Sequence, residues 1–347
     1  MSHSPDSESN FSRRNFLQRG AQSATALALG TATPSVLAAK ATEENPYEYK
    51  IDQYLKTDPA LVHYEAVAQF NCPGQDARRI ALGANDQAFI SAGRTVYAVD
   101  AGGHVAREYQ AADVVRALAV DKDGGLFLGL KEQVEVFGSA GKSMGVWQSP
   151  GPKTWLTGIA VGEQDVYAAD AGNRVIHRYD KSGKPSGRLG EKDKDRNIPG
   201  LILPSPFCDV EIGRDGLVRV TNSGRHQVET YNAKGDLEFA WGEPGVGIKH
   251  FCGCCNPINI ALLSDGRVVT CEKGLLRVKI YSDRGEFQSV VAGTESFPKN
   301  ATATMGQGKW DGSMAGLDAA VDSLGRVWIL DQVGKTIKIM ARKKAAA

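Results

Sequence analysis

The 347-residue chain has almost no net charge: 41 Lys and Arg stand against 40 Asp and Glu, leaving +1. So small a net charge gives no long-range field to draw in nucleic acid or anionic lipid, and neither is expected as a partner. The sequence lacks a phosphate-cradling glycine loop and a Cys-x-x-Cys-His haem attachment. Its cysteines do not form the two paired Cys-x-x-Cys units of common zinc sites. Long hydrophobic runs are missing as well. The most apolar stretch, residues 20–39, is broken by Gln22, Ser23, Thr25, Thr31 and Pro34, whereas a spanning helix needs about 20 strongly apolar residues. No stable membrane span is expected.

The first 41 residues instead read as an address. Ser12, Arg13, Arg14, Asn15, Phe16, Leu17 and Gln18 precede that weakly apolar stretch, which ends in Ala39, Lys40 and Ala41, a small-residue cleavage site. The segment resembles a twin-arginine (Tat) signal, departing only where a lysine often follows the leucine. The resemblance implies that residues 1–41 are removed after Ala41 or Ala39. It also implies a passenger that folds before export through the Tat machinery and works in the periplasm or another extracytoplasmic space. Residues 42–62, with Pro46 and several charges, read as a linker or a segment draped on the following domain, residues 63–344.

Glycine is abundant, at 39 residues, and lies among short alternating apolar runs, the pattern of strands joined by tight turns. Six segments share one plan. First strands centre on Ile80–Leu82, Leu118–Val120, Ile159–Val161, Val210–Ile212, Ile260–Leu262 and Ala319–Val321, spaced 38, 41, 51, 50 and 59 residues apart. A four-stranded propeller blade takes about 40 to 45 residues, so the last three carry longer connections. Five third strands run into turns with Gly103, Gly141, Gly183, Gly235 and Gly285, where positive φ is expected. The sixth segment lacks a fourth strand, and Tyr64–Phe70 supplies one by pairing with the last blade, which closes the ring. The expected fold is all-β, a six-bladed β-propeller. Asp170, Ala171, Gly172, Asn173, Arg174 and Val175, followed by Tyr179, Asp180 and Gly183, resemble an NHL repeat.

Repeat phase also locates the chemistry. Cys72, Cys208 and the run Cys252, Gly253, Cys254, Cys255 precede the first strands of blades 1, 4 and 5, and Cys271 ends the second strand of blade 5, at the position of Asp170. Antiparallel first and second strands put all six at one mouth of the ring. All but Cys72 fall in one sector, so Cys72 is the least secure member. Three readings stay open. Thiolates from Cys252, Cys254 and Cys255, completed by Cys208 or Cys271, suit copper, zinc or an iron–sulfur cluster. Six cysteines in an oxidising compartment equally suit disulfides or buried thiols. A vicinal or near-vicinal pair also suits a working dithiol that cycles with a partner protein. His250 and His226 are candidate accessory groups at the same mouth, and Trp155 and Trp310 lie in the loops leading into blades 3 and 6. The leading functional reading is an exported binding module that holds a protein partner or small ligand at this mouth. The alternatives are a metal-dependent propeller lyase or hydrolase, and a purely structural interaction platform.

Overall fold

The computed structural model describes residues 51–298 and 316–344. The twin-arginine residues Ser12, Arg13, Arg14, Phe16 and Leu17, and also Trp310, lie outside the described residues.

Among the described residues, strands form six four-stranded antiparallel sheets. Blade 1 is β2 (Ala77–Leu82), β3 (Ala88–Ala92), β4 (Thr95–Val99) and β5 (Val105–Gln110). Blade 2 is β6 (Ala117–Val120), β7 (Leu126–Gly129), β8 (Val134–Phe137) and β9 (Ser143–Val146). Blade 3 is β10 (Leu156–Val161), β11 (Asp165–Asp170), β12 (Val175–Asp180) and β13 (Pro185–Leu189). Blade 4 is β14 (Val210–Ile212), β15 (Val218–Asn222), β16 (Gln227–Tyr231) and β17 (Leu237–Trp241). Blade 5 is β18 (Asn259–Leu262), β19 (Val268–Glu272), β20 (Arg277–Tyr281) and β21 (Phe287–Ala292). Blade 6 is β22 (Leu317–Val321), β23 (Val327–Asp331) and β24 (Thr336–Arg342), with β1 (Tyr64–Asn71) as its outer strand.

The first strands touch one another in sequence around the ring, β22 meeting β2, so the molecule is a closed six-bladed β-propeller. β1 pairs antiparallel with β24, from Tyr64 opposite Arg342 to Asn71 opposite Thr336. The first and last described strands thus share one sheet, which removes two exposed edges.

Turn chemistry follows from the sequence. Gly183 and Gly285 have φ of 89° and 91°, a region costly to any side chain. They meet a second demand, because a Cβ would lie 2.5 Å from Trp147 and 2.4 Å from Trp241 respectively. An aromatic ring from each preceding blade packs against these turns. Ahead of β1, Thr57 donates to Glu295 through its amide at 3.3 Å and its hydroxyl at 3.2 Å, and the His63 amide donates to Val290 O at 3.2 Å. This segment therefore lies on blade 5.

Tyr64 is 3% exposed in the core shared by blades 5 and 6, while Val67 on the same strand is 52% exposed. Tyr64→Ala is expected to cost about 3 kcal/mol in urea unfolding and Val67→Ala less than about 0.5 kcal/mol. Equal effects would mean that β1 does not contribute to closure through its buried face.

Candidate functional site: an axial arginine between two mouths

Arg79, the third residue of β2, places its guanidinium on the propeller axis. Nε donates to the carbonyl of Arg116, just ahead of β6, at 3.0 Å. Nη2 donates to the carbonyl of Thr157 in β10, and Nη1 to Oδ1 of Asn259 in β18. Nη1 also reaches Asp318 Oδ1 in β22 at 3.4 Å and lies 3.9 Å from Asp209 Oδ1, just ahead of β14. Including its own blade, one side chain contacts all six. Both carboxylates are tied further: Asp318 accepts from the Ile80 amide at 2.9 Å and Asp209 from the Ile260 amide at 3.0 Å. Burial raises the affinity of Asp209 and Asp318 for protons, and their proximity adds to the rise at Asp209, while Arg79 opposes both. The plug sits at the mouth where the first strands begin.

At that mouth a polar residue ending the second strand ties down the loop leading into its blade. In blade 3, Asp170 accepts from the Trp155 amide at 2.9 Å and from the Asn173 side chain at 2.7 Å, and meets His177 Nε2 at 2.9 Å. Burial alone would raise its pKa, but these hydrogen bonds, led by His177, hold it at about 2. In blade 4, Asn222 accepts from the Ile202 amide at 3.0 Å and donates to Glu229 at 2.7 Å. In blade 5 the residue is Glu272, which accepts from the Cys252 amide at 3.3 Å and pairs with Lys279 at 2.7 Å, both side chains fully buried. Lys279 Nζ also donates to the carbonyls of Ile248 at 3.0 Å and His250 at 2.8 Å, and Tyr281 to that of Lys249 at 3.1 Å. Asn256 closes the loop, donating to Cys252 O at 2.6 Å and Lys273 O at 2.9 Å and accepting from the Lys273 amide at 2.9 Å.

The position of Asp170 is therefore held in blade 5 by Glu272 and not by Cys271. Glu272 faces Arg277 across the turn as Asp170 faces Val175, and Gly274 follows as Gly172 does. Moving one residue along a strand reverses the face, so Cys271 points into the core of blades 5 and 6.

The chain order places all six cysteines at this mouth, but their sulfurs do not converge. Cys254 and Cys255 come together with Sγ atoms 3.1 Å apart, Cys254 exposed and Cys255 buried. Cys208 lies in the core of blades 3 and 4, and Cys72 against that of blades 1 and 6. Burial, aided by nearby carboxylates, raises Cys72 to about 12 and Cys208 and Cys271 well above their ordinary value. Cys252 is raised by burial and by Glu272. At Cys255 burial raises the pKa, while Ser205 and Lys273 pull it down. Among the described residues no three His, Cys, Asp or Glu side chains are arranged to hold a metal ion. His250 lies 3.9 Å from the Glu243 carboxylate. The half-buried His226, at φ 59°, has its pKa lowered by burial. Gly141-Lys142-Ser143-Met144-Gly145 has the spacing of a nucleophile elbow, but it is the turn into the outer strand β9, and the Ser143 hydroxyl donates to Glu135 at 3.2 Å.

At this mouth two cations lie over aromatic rings. The Arg116 guanidinium stacks 4.3 Å from the Trp155 ring centre and Lys273 Nζ lies 4.3 Å from that of Phe207. The opposite mouth, at the ends of the first strands, opens into a cavity of about 750 Å³.

No family model matches the chain. Over 150 residues, 43% of the chain, it is 27% identical to the Brain tumor protein of Drosophila melanogaster, a match that spans 13% of that protein. A streptogramin B lyase superposes with a TM-score of 0.55 at 14% identity, covering 81% of this chain and 98% of the lyase. The virginiamycin B lyase of Staphylococcus aureus gives 0.54 at 14% identity, over 81% and 100%. A chain of the mitotic checkpoint complex gives 0.53 at 12% identity, over 93% and 100%. At such identities these likenesses establish the β-propeller fold alone.

Arg79→Met is expected to destabilise the protein by about 3–5 kcal/mol, because it leaves Asp209 and Asp318 buried without a counter-charge. Asp318→Asn in the same background should recover part of the loss. Additive losses in thermal or urea unfolding would contradict the axial pairing.

Proposed function

We propose that the chain is an exported, NHL-like β-propeller that docks a protein partner at the mouth carrying the cysteine loop and exchanges disulfides there through Cys254 and Cys255. The observation that carries this reading is the pair of sulfurs 3.1 Å apart, presented on a loop fixed from below by the buried Glu272–Lys279 pair and by Asn256.

The chemistry is a two-electron exchange. The Cys254 thiolate attacks one sulfur of a partner disulfide, forming a mixed disulfide and releasing one partner thiolate. The Cys255 thiolate then attacks Cys254, closing a vicinal disulfide and releasing the second partner thiolate. The propeller is oxidised, the partner disulfide is reduced, and the two thiol protons pass to the released thiolates. Burial, with Cys254 beside it, raises the pKa of Cys255, and Ser205 and Lys273 offset part of that rise, so Cys255 acts as the resolving thiol, after Cys254 has attacked. Closing the pair requires the sulfurs to approach from 3.1 Å to about 2.05 Å, a movement within the loop. The reading also assigns the chain to an extracytoplasmic compartment, where disulfide partners persist.

Iodoacetamide applied to the native reduced protein is expected to modify Cys254 first, and Cys208 and Cys271 only after unfolding, with peptide mass spectrometry reading the order. Labelling of all six at one rate would overturn the assignment. Glu272→Gln should spread the labelling to Cys252 and Cys255 by loosening the loop. For export, replacement of both Arg13 and Arg14 by Lys should hold the chain in the cytoplasm of a Tat-competent host. Unchanged periplasmic recovery would rule out the twin-arginine route.

A further inference from the structure

The cavity at the opposite mouth is separated from the cysteine loop by the Arg79 plug and does not rest on the dithiol reading. Its volume of about 750 Å³ falls in the range of small-molecule sites, about 300–1,000 Å³. The walls are the ends of the six first strands, which contribute Leu82, Val120, Val161, Ile212, Leu262 and Val321. An aliphatic chain suits such walls. Acids line it too, but most already have partners. Asp215 is paired with Arg219 at 2.6 Å, Asp265 with Arg267 at 2.8 Å, and Asp322 with Arg326 at 2.6 Å. Asp86 accepts from the amide and hydroxyl of Ser323, each at 2.7 Å.

Glu211 is different. It borders this cavity and also the narrow axial space beneath Arg79. Among the described residues no hydrogen bond or ion pair holds its side chain, while the Arg79 guanidinium above it is engaged by Asp318, Asn259 and the Thr157 carbonyl. A second anion brought here would face Glu211, Asp209 and Asp318 together. A cation would supply the partner that Glu211 lacks.

We propose that this cavity binds an alkylammonium group, its charge received by Glu211 at the floor and its aliphatic chain lying along the apolar walls. The ammonium belongs either to a free amine or to a lysine side chain of a partner, and the two sources are separable by experiment.

Binding carries a proton signature. The charged groups facing Glu211 are Arg79 from β2, Asp209 ahead of β14, Asp318 from β22 and, opposite it on β15, Arg219, whose guanidinium is taken by Asp215 at 2.6 Å; the first strands of blades 2, 3 and 5 add Leu118, Ile159 and Ile260, which are uncharged. Burial, with Asp209 and Asp318, raises Glu211 well above its ordinary value against the pull of Arg79. An arriving ammonium favours the carboxylate, so one proton leaves as the cation enters. Affinity therefore rises with pH up to the raised pKa and levels off above it.

Calorimetric titration of the purified full chain with n-butylammonium, spermidine, a short lysine peptide and, as neutral control, 1-butanol tests the assignment. Saturable binding of the amines but not of butanol is expected, weakened about tenfold or more in Glu211→Gln, the loss for removing one charged partner. Binding should also weaken from about pH 7.5 to 5.5. Val120→Trp, which narrows the cavity without touching charge, should block binding in a chain that still melts cooperatively. A lysine peptide that binds more tightly than the free amines points to a partner protein, and the reverse order to a small amine. Equal binding of butanol and butylammonium, affinity unchanged in Glu211→Gln, or no saturable binding of any amine would overturn the proposal.

Discussion

One guanidinium organises this propeller. A ring of blades has no central strand to hold it, and the axis is where six first strands converge with polar groups taken out of water. Arg79 fills that space and meets a carbonyl, an amide oxygen or a carboxylate from each of the other five blades. Its five donors, fixed in a plane, are what allow one side chain to do this. Two consequences follow. The blades are held in one register around the axis, and the guanidinium divides the channel between its two mouths.

The second organising device is local and repeated. Asp170, Asn222 and Glu272 end the second strands of consecutive blades, and each captures a backbone amide of the loop leading into its blade. A third-strand residue two places beyond the turn then partners each of them: His177, Glu229 and Lys279. In blades 3 and 4 the clamp serves only to seat a loop. In blade 5 the same clamp, with a longer lysine reaching two further carbonyls, fixes a cysteine-bearing loop so that one thiol is exposed and the next lies beside it. The proposed redox site is thus a variant of a structural device already present in its neighbours.

This explains how much could be read from the sequence. Strand positions, the turn glycines and the pairing of Tyr64–Phe70 with the last blade were legible because each rests on a local pattern: alternation, positive φ or an orphan strand. The division of labour among the cysteines was not. Placing Cys271 on Asp170 is an error of one residue, and in a strand one residue separates a loop-facing side chain from a core-facing one. The alignment of Gly172 with Gly274 carried the correct phase. Arg79 gave no local signal, because its partners lie 37 to 239 residues away and a basic pair such as Arg78-Arg79 ordinarily reads as solvated surface. The cavity around Glu211 was equally hidden, since its walls are the last residues of six separate strands.

The proposed function requires that Cys254 and Cys255 form one working dithiol while the other cysteines stay thiols. Thiol–disulfide mapping of the native protein equilibrated in a glutathione redox buffer addresses this directly. The expected result is a peptide spanning Cys254 and Cys255 that is lighter by two hydrogens, reverts on reduction, and titrates as one two-electron couple while Cys208 and Cys271 remain alkylatable after unfolding. A disulfide that joins Cys208, Cys271 or Cys72, or a Cys254–Cys255 peptide that stays reduced at every poise of the buffer, would contradict it.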